Sequence, residues 1–464
     1  MRASVSRSPP LLPVRWKPRS RTPGFRLRTL LRMQVDGPPR TPAFARRLAG
    51  IEGLRGIAAG SVLVSHVWNL SAPNGATFDF GWISTYVLPK LAHGVTLFFT
   101  LSGFLLFLPF AAAALRGEPR PSFAAYLRNR ALRILPAYWF VLFVTALLLQ
   151  SARVHEGGLA RGIGGITDPW LLLSNALLLQ NYSPSTVNTG LSPAWSLSVE
   201  AIFYCVLPLL VLAGVRFATT PSGHGMRAAR LAAPAVLLGV VGVLSVVLGP
   251  KGGSALFEAG LTWSNVWDVS FMTHAHLFAL GMVLSIVRVQ YQDGRLTLPR
   301  GWRPAAWAGT VGFAVAGVKL GADGIVPERV EVSLIACACA LLLALVVLPD
   351  RESRRPIVRA LQSRPMVAGG VASYSVYLWH VPVILFLTKH DVSRAGGADA
   401  FFLNLTMVAT ITGVLAWLTY VYVEKPALRR KSRTTAGPPA EDPPSTAKTS
   451  TAAGSIAPSP SAPS

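Results

Sequence analysis

The sequence predicts an all-α, polytopic membrane protein of about ten transmembrane helices, with both termini cytoplasmic. Three observations carry this reading. Of 464 residues, 51% are hydrophobic and only 14% charged, against about 25% charged in an average soluble domain, and the mean hydropathy is +0.45. That composition excludes an ordinary cytosolic globule and excludes disorder for most of the chain. Apolar stretches near the length of about 20 residues needed to cross a bilayer recur along the sequence. Finally, positive charge alternates between the connections that join them.

The ten candidate spans are, in order, roughly Leu54–Leu70, Tyr86–Phe110, Ile134–Gln150, Ala194–Val215, Leu231–Leu248, Val269–Val287, Ala305–Leu320, Val332–Leu348, Ala372–Thr388 and Phe402–Val423. The run Trp170–Gln180 is too short to cross and is expected as an interfacial or re-entrant helix in a long loop. Of the 44 Lys and Arg residues, 35 fall on one side of this arrangement and 7 on the other. The richer side holds both termini, which makes it cytoplasmic by the positive-inside rule. Gaining or losing one span would scramble the split. The net charge of +24 and a pI near 11.0 otherwise suggest a nucleic-acid binder. Because most of the basic residues sit in short blocks between apolar runs, they are read as orientation signals, and no nucleic-acid partner is expected.

Residues 1–47 are rich in Arg and Pro, contain one acidic residue, Asp36, and lack the apolar core of a secretory signal. They are expected to form a disordered basic arm able to lie against anionic lipid, with Met33 as the alternative start. Residues 48–430 form the expected membrane domain, and residues 431–464 a disordered Pro/Ser/Thr/Ala tail. Cys205, Cys337 and Cys339 all lie in apolar segments, in a pattern that makes neither a disulfide framework nor a metal site.

Ionisable groups inside a span are costly and face a partner or a wet cavity, so each is a functional candidate. His66 lies in the first span, Glu200 in the fourth, His274 and His276 in the sixth and His380 in the ninth, with Arg55 at the cytoplasmic mouth of the first. Arg55 and His66 are eleven residues apart, so they share a helical face roughly 16 Å apart along the axis. Glu200 lies roughly 9 Å in from the outer end of its span, a depth that allows it to meet His66, and an imidazole beside a carboxylate is a general base. His276 and His380 fall at similar depths. Packing competes as a role for every histidine and is favoured for His93 and His274; for Glu200 the competitor is a structural hydrogen bond to a neighbouring helix. No metal is expected, since no His or Cys pair at ligand spacing faces one side.

Arg130 and Arg133, at i and i+3, form a fork suited to phosphate oxygens. Topology determination is the alternative, as expected for Arg354 and Arg355. Pro136 falls where the third span is expected to begin. Gly94 and Gly103 flank an aromatic-rich stretch and either leave a narrow slot for an acyl chain or permit ordinary close helix packing.

These residues together resemble the acyltransferase-3 family of integral membrane O-acyltransferases, over roughly Gly50–Pro426. Glu52-Gly53-Leu54-Arg55-Gly56-Ile57-Ala58-Ala59 leading to His66 resembles its N-terminal signature. Phe98-Phe99 with Leu101-Ser102-Gly103-Phe104 resembles the second-helix motif, and Arg130-Ala131-Leu132-Arg133-Ile134-Leu135-Pro136 the arginine motif. Trp195-Ser196-Leu197-Ser198-Val199-Glu200 followed by Phe203-Tyr204 is similar to the fourth-helix motif. Ser373-Tyr374-Ser375-Val376-Tyr377-Leu378-Trp379-His380 and Glu424-Lys425-Pro426 resemble the closing elements. Glu52 stands where Asp is usual, which keeps the charge.

The resemblance implies transfer of an acyl group, commonly acetyl, from cytoplasmic acyl-CoA to a hydroxyl of a glycan or glycosylated small molecule, in a bacterial plasma membrane. It implies that His66 is the essential catalytic group and that Arg55, Arg130 and Arg133 serve activity or donor handling. The hydrolase-like domain that some members carry after the tenth span is not expected. Acyl transfer is expected to be direct, because no Ser or Cys is clearly paired with a base and Cys205 is expected to pack. A transporter or flippase of a glycoconjugate is the alternative reading of the buried charges, but no inverted pair of broken helices supports it.

Overall fold

The computed structural model describes residues 48–70, 80–156, 159–218, 223–250, 262–348, 356–394 and 396–432. Ten long helices dominate them: α1 (Ile51–Leu70), α2 (Gly94–Arg116), α3 (Phe123–Phe143), α4 (Trp195–Ala218), α5 (His224–Leu248), α6 (Phe271–Gln292), α7 (Trp302–Ala322), α8 (Glu328–Val347), α9 (Arg364–Lys389) and α10 (Gly397–Thr419). Each coincides with one expected span. Among the described residues, the nine helical stretches containing α2 to α10 are long and apolar enough to cross a membrane. Helix α1 is 20 residues long, but Glu52, Arg55 and His66 dilute its apolar content. Its polar residues are accommodated because it packs along α9, and α2 likewise packs along α6.

Local chemistry moves some boundaries. Helix α3 starts three turns ahead of the expected Ile134, with the Ser122 hydroxyl accepting the Ala125 N–H at 3.4 Å. The Ala- and Leu-rich run Phe123–Leu132 is helix-forming, so Arg130 and Arg133 lie on α3 ahead of the expected start of the span, and Pro136 lies inside α3. Within the expected Trp170–Gln180 segment only Pro169–Ala176 is α-helical, with Asp168 accepting the Trp170 N–H at 2.9 Å. The connection between α3 and α4 also contains an unexpected antiparallel hairpin, β1 (Ala152–Glu156) and β2 (Leu159–Gly164), in which Arg153 pairs with Ile163. After α10 a π-helical turn, Tyr420–Glu424, leads into a helix over Lys425–Ser432, past the boundary expected at residue 430. The basic arm, Arg354, Arg355 and residues 433–464 lie outside the described residues.

Contacts between connections sort the helix ends into two sets. At one end Lys90 and His93 meet Glu331, Tyr86 meets Asp323, Arg329 meets both Asp268 and the Pro250 carbonyl, and Lys389 meets the Gln150 carbonyl. At the other, Arg116 pairs with Asp293, Arg295 donates to the Leu115 carbonyl, Arg303 to that of Leu348, and Arg133 pairs with Glu424. These two sets match the charge-poor and basic sets of connections in the sequence. The Lys319 ammonium and the Tyr86 hydroxyl hold the Asp323 carboxyl below its ordinary range at the charge-poor end.

Backbone contact, made possible by glycine, sets the helix spacing. A Cβ on Gly103 would collide with the Phe278 carbonyl, and one on Gly281 with the Thr100 carbonyl, so α2 and α6 touch reciprocally. Gly94 meets the Ala58 carbonyl in the same way. Close packing is therefore what these glycines serve; no acyl slot is left at Gly94 or Gly103. Gly103→Val is expected to destabilise the protein by at least about 1–3 kcal/mol, the cost of overpacking. Gly60→Ala, where a Cβ meets nothing within 4 Å, serves as the neutral control. Thermal unfolding of the two purified variants in detergent checks the contrast.

Candidate active site

Helices α1 and α9 approach closely because Gly56 and Gly370 face one another: a Cβ on Gly56 would lie 3.0 Å from the Gly370 nitrogen. Three turns further along α1, His66 Nδ1 lies 2.8 Å from His380 Nε2, with the rings stacked 5.0 Å apart. His380 is buried and His66 half-buried. The remaining nitrogen of His380, Nδ1, lies 3.3 Å from the Val376 carbonyl. A carbonyl only accepts, so His380 Nδ1 donates to it, and the neutral ring then presents Nε2 as an acceptor. His66 Nδ1 must therefore carry the shared proton, leaving His66 Nε2 as a lone pair. The tautomers follow from this network rather than from any direct view of hydrogens.

Glu200 does not partner His66. Its Oε1 accepts the Ser102 hydroxyl at 2.5 Å, a contact from α2 to α4. The expected His66–Glu200 pair is thus corrected. Depth along the axis was compatible, but α2 supplies the partner of Glu200 and α9 that of His66. The expectation that no Ser is paired with a base is corrected by the same bond. Cys205 is exposed on α4 rather than packed, and the other two cysteines are also free.

Nearer the basic end, Arg133 Nη1 donates to Glu424 Oε1 at 2.5 Å, and the Ser375 hydroxyl donates to Glu424 Oε2 at 3.0 Å. Glu424 is only 1% exposed and sits at the end of the π turn, a local widening frequent at functional sites. The Tyr374 hydroxyl donates to the Ile134 carbonyl at 2.8 Å, and its ring lies under the Arg133 guanidinium. The sequence placed Glu424 in a motif without giving it a role. By contrast, Arg55 Nε and Arg130 Nε are buried with no hydrogen-bond partner among the described residues. The fork read from the i, i+3 spacing is therefore split: Arg133 is neutralised by Glu424, while Arg130 and Arg55 make no ion pair among the described residues. Arg55 lies within electrostatic reach of Arg133, Glu52, Glu200 and Glu424, which ties the first helix to the arginine motif.

His93, His274 and His276 have structural partners. His93 joins Lys90 on Glu331. His274 Nδ1 lies 2.9 Å from the Ser270 carbonyl, between the Phe99 and Trp195 rings. His276 Nε2 meets the Ser333 hydroxyl at 3.0 Å. Among the described residues, no group of three His, Cys, Asp or Glu side chains is placed to hold a metal ion.

The site is thus a histidine pair within a polytopic helical bundle, with Arg55 and Arg130 towards its basic end making no ion pair among the described residues. Residues 48–423 match the acyltransferase-3 family, described as an acyltransferase domain, and the chain belongs to that family. That family is one of acyltransferases. YrhL of Bacillus subtilis (strain 168), which bears the name of a peptidoglycan O-acetyltransferase, is 26% identical over 391 residues, 82% of this chain and 55% of that protein. The O-acetyltransferase OatA of Staphylococcus aureus (strain NCTC 8325 / PS 47) is 21% identical over 399 residues, 83% of this chain and 58% of its own. The acyltransferase MdmB of Streptomyces mycarofaciens is 25% identical over 420 residues, 85% of this chain and 96% of its own. The chain thus spans a little over half the length of YrhL and OatA. No solved structure matches it.

Removing one partner of a buried ion pair orphans the other charge. Arg133→Ala is expected to cost about 3 kcal/mol, the lower end of the range for such a loss, because Arg133 is 21% exposed whereas Glu424 is almost sealed. Glu424→Gln, which keeps a hydrogen-bond acceptor for Ser375, should cost less. Denaturation midpoints of both variants measured side by side test the ordering.

Proposed function

We propose that the chain moves an acyl group, acetyl in the simplest case, from cytoplasmic acyl-CoA to a hydroxyl of a glycan or glycosylated small molecule. The names of YrhL and OatA support O-acetyl transfer, and that of YrhL a glycan acceptor. The observation that carries the mechanism is the His66–His380 pair, which leaves His66 Nε2 as a base. The acceptor O–H gives its proton to His66 Nε2 as the oxygen attacks the thioester carbonyl. The tetrahedral intermediate collapses, CoA leaves as the thiolate, and the proton on His66 neutralises it. His380 acts as a positioning residue, since its acceptor nitrogen fixes the tautomer of His66 and stabilises the imidazolium. The donor's phosphates dock at the basic end, where Arg130 and Arg55 offer guanidinium groups without ion-pair partners among the described residues. The thioester arm then runs inward along the roughly 16 Å that separate Arg55 from His66 on one helical face.

His66→Ala is expected to lose about 10²–10⁴-fold in turnover, the usual worth of a general base, while still inserting and folding. Wild-type turnover in that variant, assayed as free CoA released from acetyl-CoA with acceptor present, would rule out the mechanism. Arg130→Lys keeps the charge but loses the planar fork, so it should weaken acyl-CoA binding more than acceptor binding. Arg133→Lys should act chiefly on stability, through Glu424.

The Ser102–Glu200 bond favours a second reading. The Ser102 hydroxyl attacks the thioester, Glu200 takes its proton, CoA leaves, and the serine ester later passes the acyl group to the acceptor. Intact-mass measurement of the protein incubated with acetyl-CoA alone separates the routes. Direct transfer leaves the mass unchanged, and an acetyl adduct on Ser102 that disappears when acceptor is added establishes the relay.

A further inference from the structure

We infer that Arg288, on α6, is a further binding residue for the donor, gripping one of its phosphate groups. The inference rests on the proposal that acyl-CoA docks at the basic end.

Arg288 is only 8% exposed. The only other arginine among the described residues buried to this degree is Arg153, which has interaction partners. Arg288 has no hydrogen bond or ion pair among the described residues, yet none of its guanidinium nitrogens is sealed from open space. Apart from Arg55 and Arg130, other arginines at that end are held: Arg116 by Asp293, Arg133 by Glu424, and Arg303 by the Leu348 carbonyl. A guanidinium stays charged under all ordinary conditions, and burying it without a counter-charge is expensive. Such a residue is accounted for if an anion enters.

Its placement says which anion. Helices α2 and α6 run side by side in the same direction, since Gly103 meets Phe278 and Arg116 meets Asp293. Arg288 lies seven residues beyond Gly281. That is two turns, so it shares the face that Gly281 presses on α2, about 10 Å nearer the basic end. Arg288 is thereby directed at α2 near Phe107–Ala111, into the bundle and away from lipid. At the same height Phe110 of α2 meets Tyr126 of α3 edge-on, one turn from Arg130. CoA carries a diphosphate and a 3′-phosphate, more charge than Arg130 and Arg55 can grip alone, and Arg288 offers a third planar fork.

The test is titration of CoA into the purified full chain in nanodiscs of zwitterionic lipid, for wild type, Arg288→Gln and Arg288→Lys, with thermal unfolding as a folding control. Arg288→Gln is expected to weaken CoA binding by about tenfold or more, with Arg288→Lys intermediate and the acceptor KM unchanged. Repeating the titration with dephospho-CoA assigns the contact: a variant that no longer distinguishes the two ligands places Arg288 on the 3′-phosphate, and one that still does places it on the diphosphate. Unaltered CoA affinity in both variants overturns the inference. So does an effect that appears only as lost dependence on added phosphatidylglycerol, because the phosphate would then be a lipid headgroup. If wild type binds no CoA in any lipid, the donor proposal itself fails, a result distinct from either.

Discussion

The centre of this protein depends on how closely α1 and α9 can approach. A Cβ on Gly370 would run into the Glu52 carbonyl, and one on Gly56 into the backbone of the opposite helix. With side chains excluded from that crossing, the two backbones touch, and His66 and His380 come within hydrogen-bonding distance. The tautomer of His66 is thus set by helix packing several turns away, and the imidazole needs no carboxylate to orient it. The same approach brings Arg55, on α1, within electrostatic reach of Glu424, beyond α10.

The bundle separates its polar groups by height. Contacts among the connections tie the charge-poor end together through Glu331, Asp323 and Arg329, and the basic end through Asp293 and Glu424. Between them lie the histidine pair and the Ser102–Glu200 bond, while Arg55 and Arg130 lie nearer the basic end. A charged donor head and a reactive base can therefore belong to one site without sharing one environment. Arg55 and Arg130, without ion-pair partners among the described residues, lie nearer the basic end, and the imidazoles lie deeper, where apolar packing dominates.

How much of this was legible in the sequence divides along one line. Spans were legible because bilayer crossing is a property of composition over about 20 residues, and all ten long helices fall where the apolar runs lie. Height within a span was legible from a constant rise per residue, so the level of His66 and Glu200 could be read. Partnership was not, because it depends on which helix stands beside which. Glu200 found Ser102 and His66 found His380 for that reason alone. The i, i+3 spacing of Arg130 and Arg133 correctly placed both on one helix, yet it could not reveal that Glu424, almost 300 residues on, claims one of them. The β1–β2 hairpin went unread because its strands are only five and six residues long, too short for alternation to stand out within a long connection.

The π turn Tyr420–Glu424 bears on the length of the helix before it. A π turn holds one residue more than an α turn of the same pitch, and each residue of helix subtends about 100°. The extra residue is taken up within the turn, so the helix beyond it keeps the phase of an uninterrupted α-helix; deleting a residue from the regular helix α10 instead would swing the Glu424 carboxylate about a quarter-circle away from Arg133 and Ser375. The length of Gly397–Thr419 is therefore fixed by an ion pair beyond its end, while Tyr420–Glu424 is the place where a change of one residue can be absorbed.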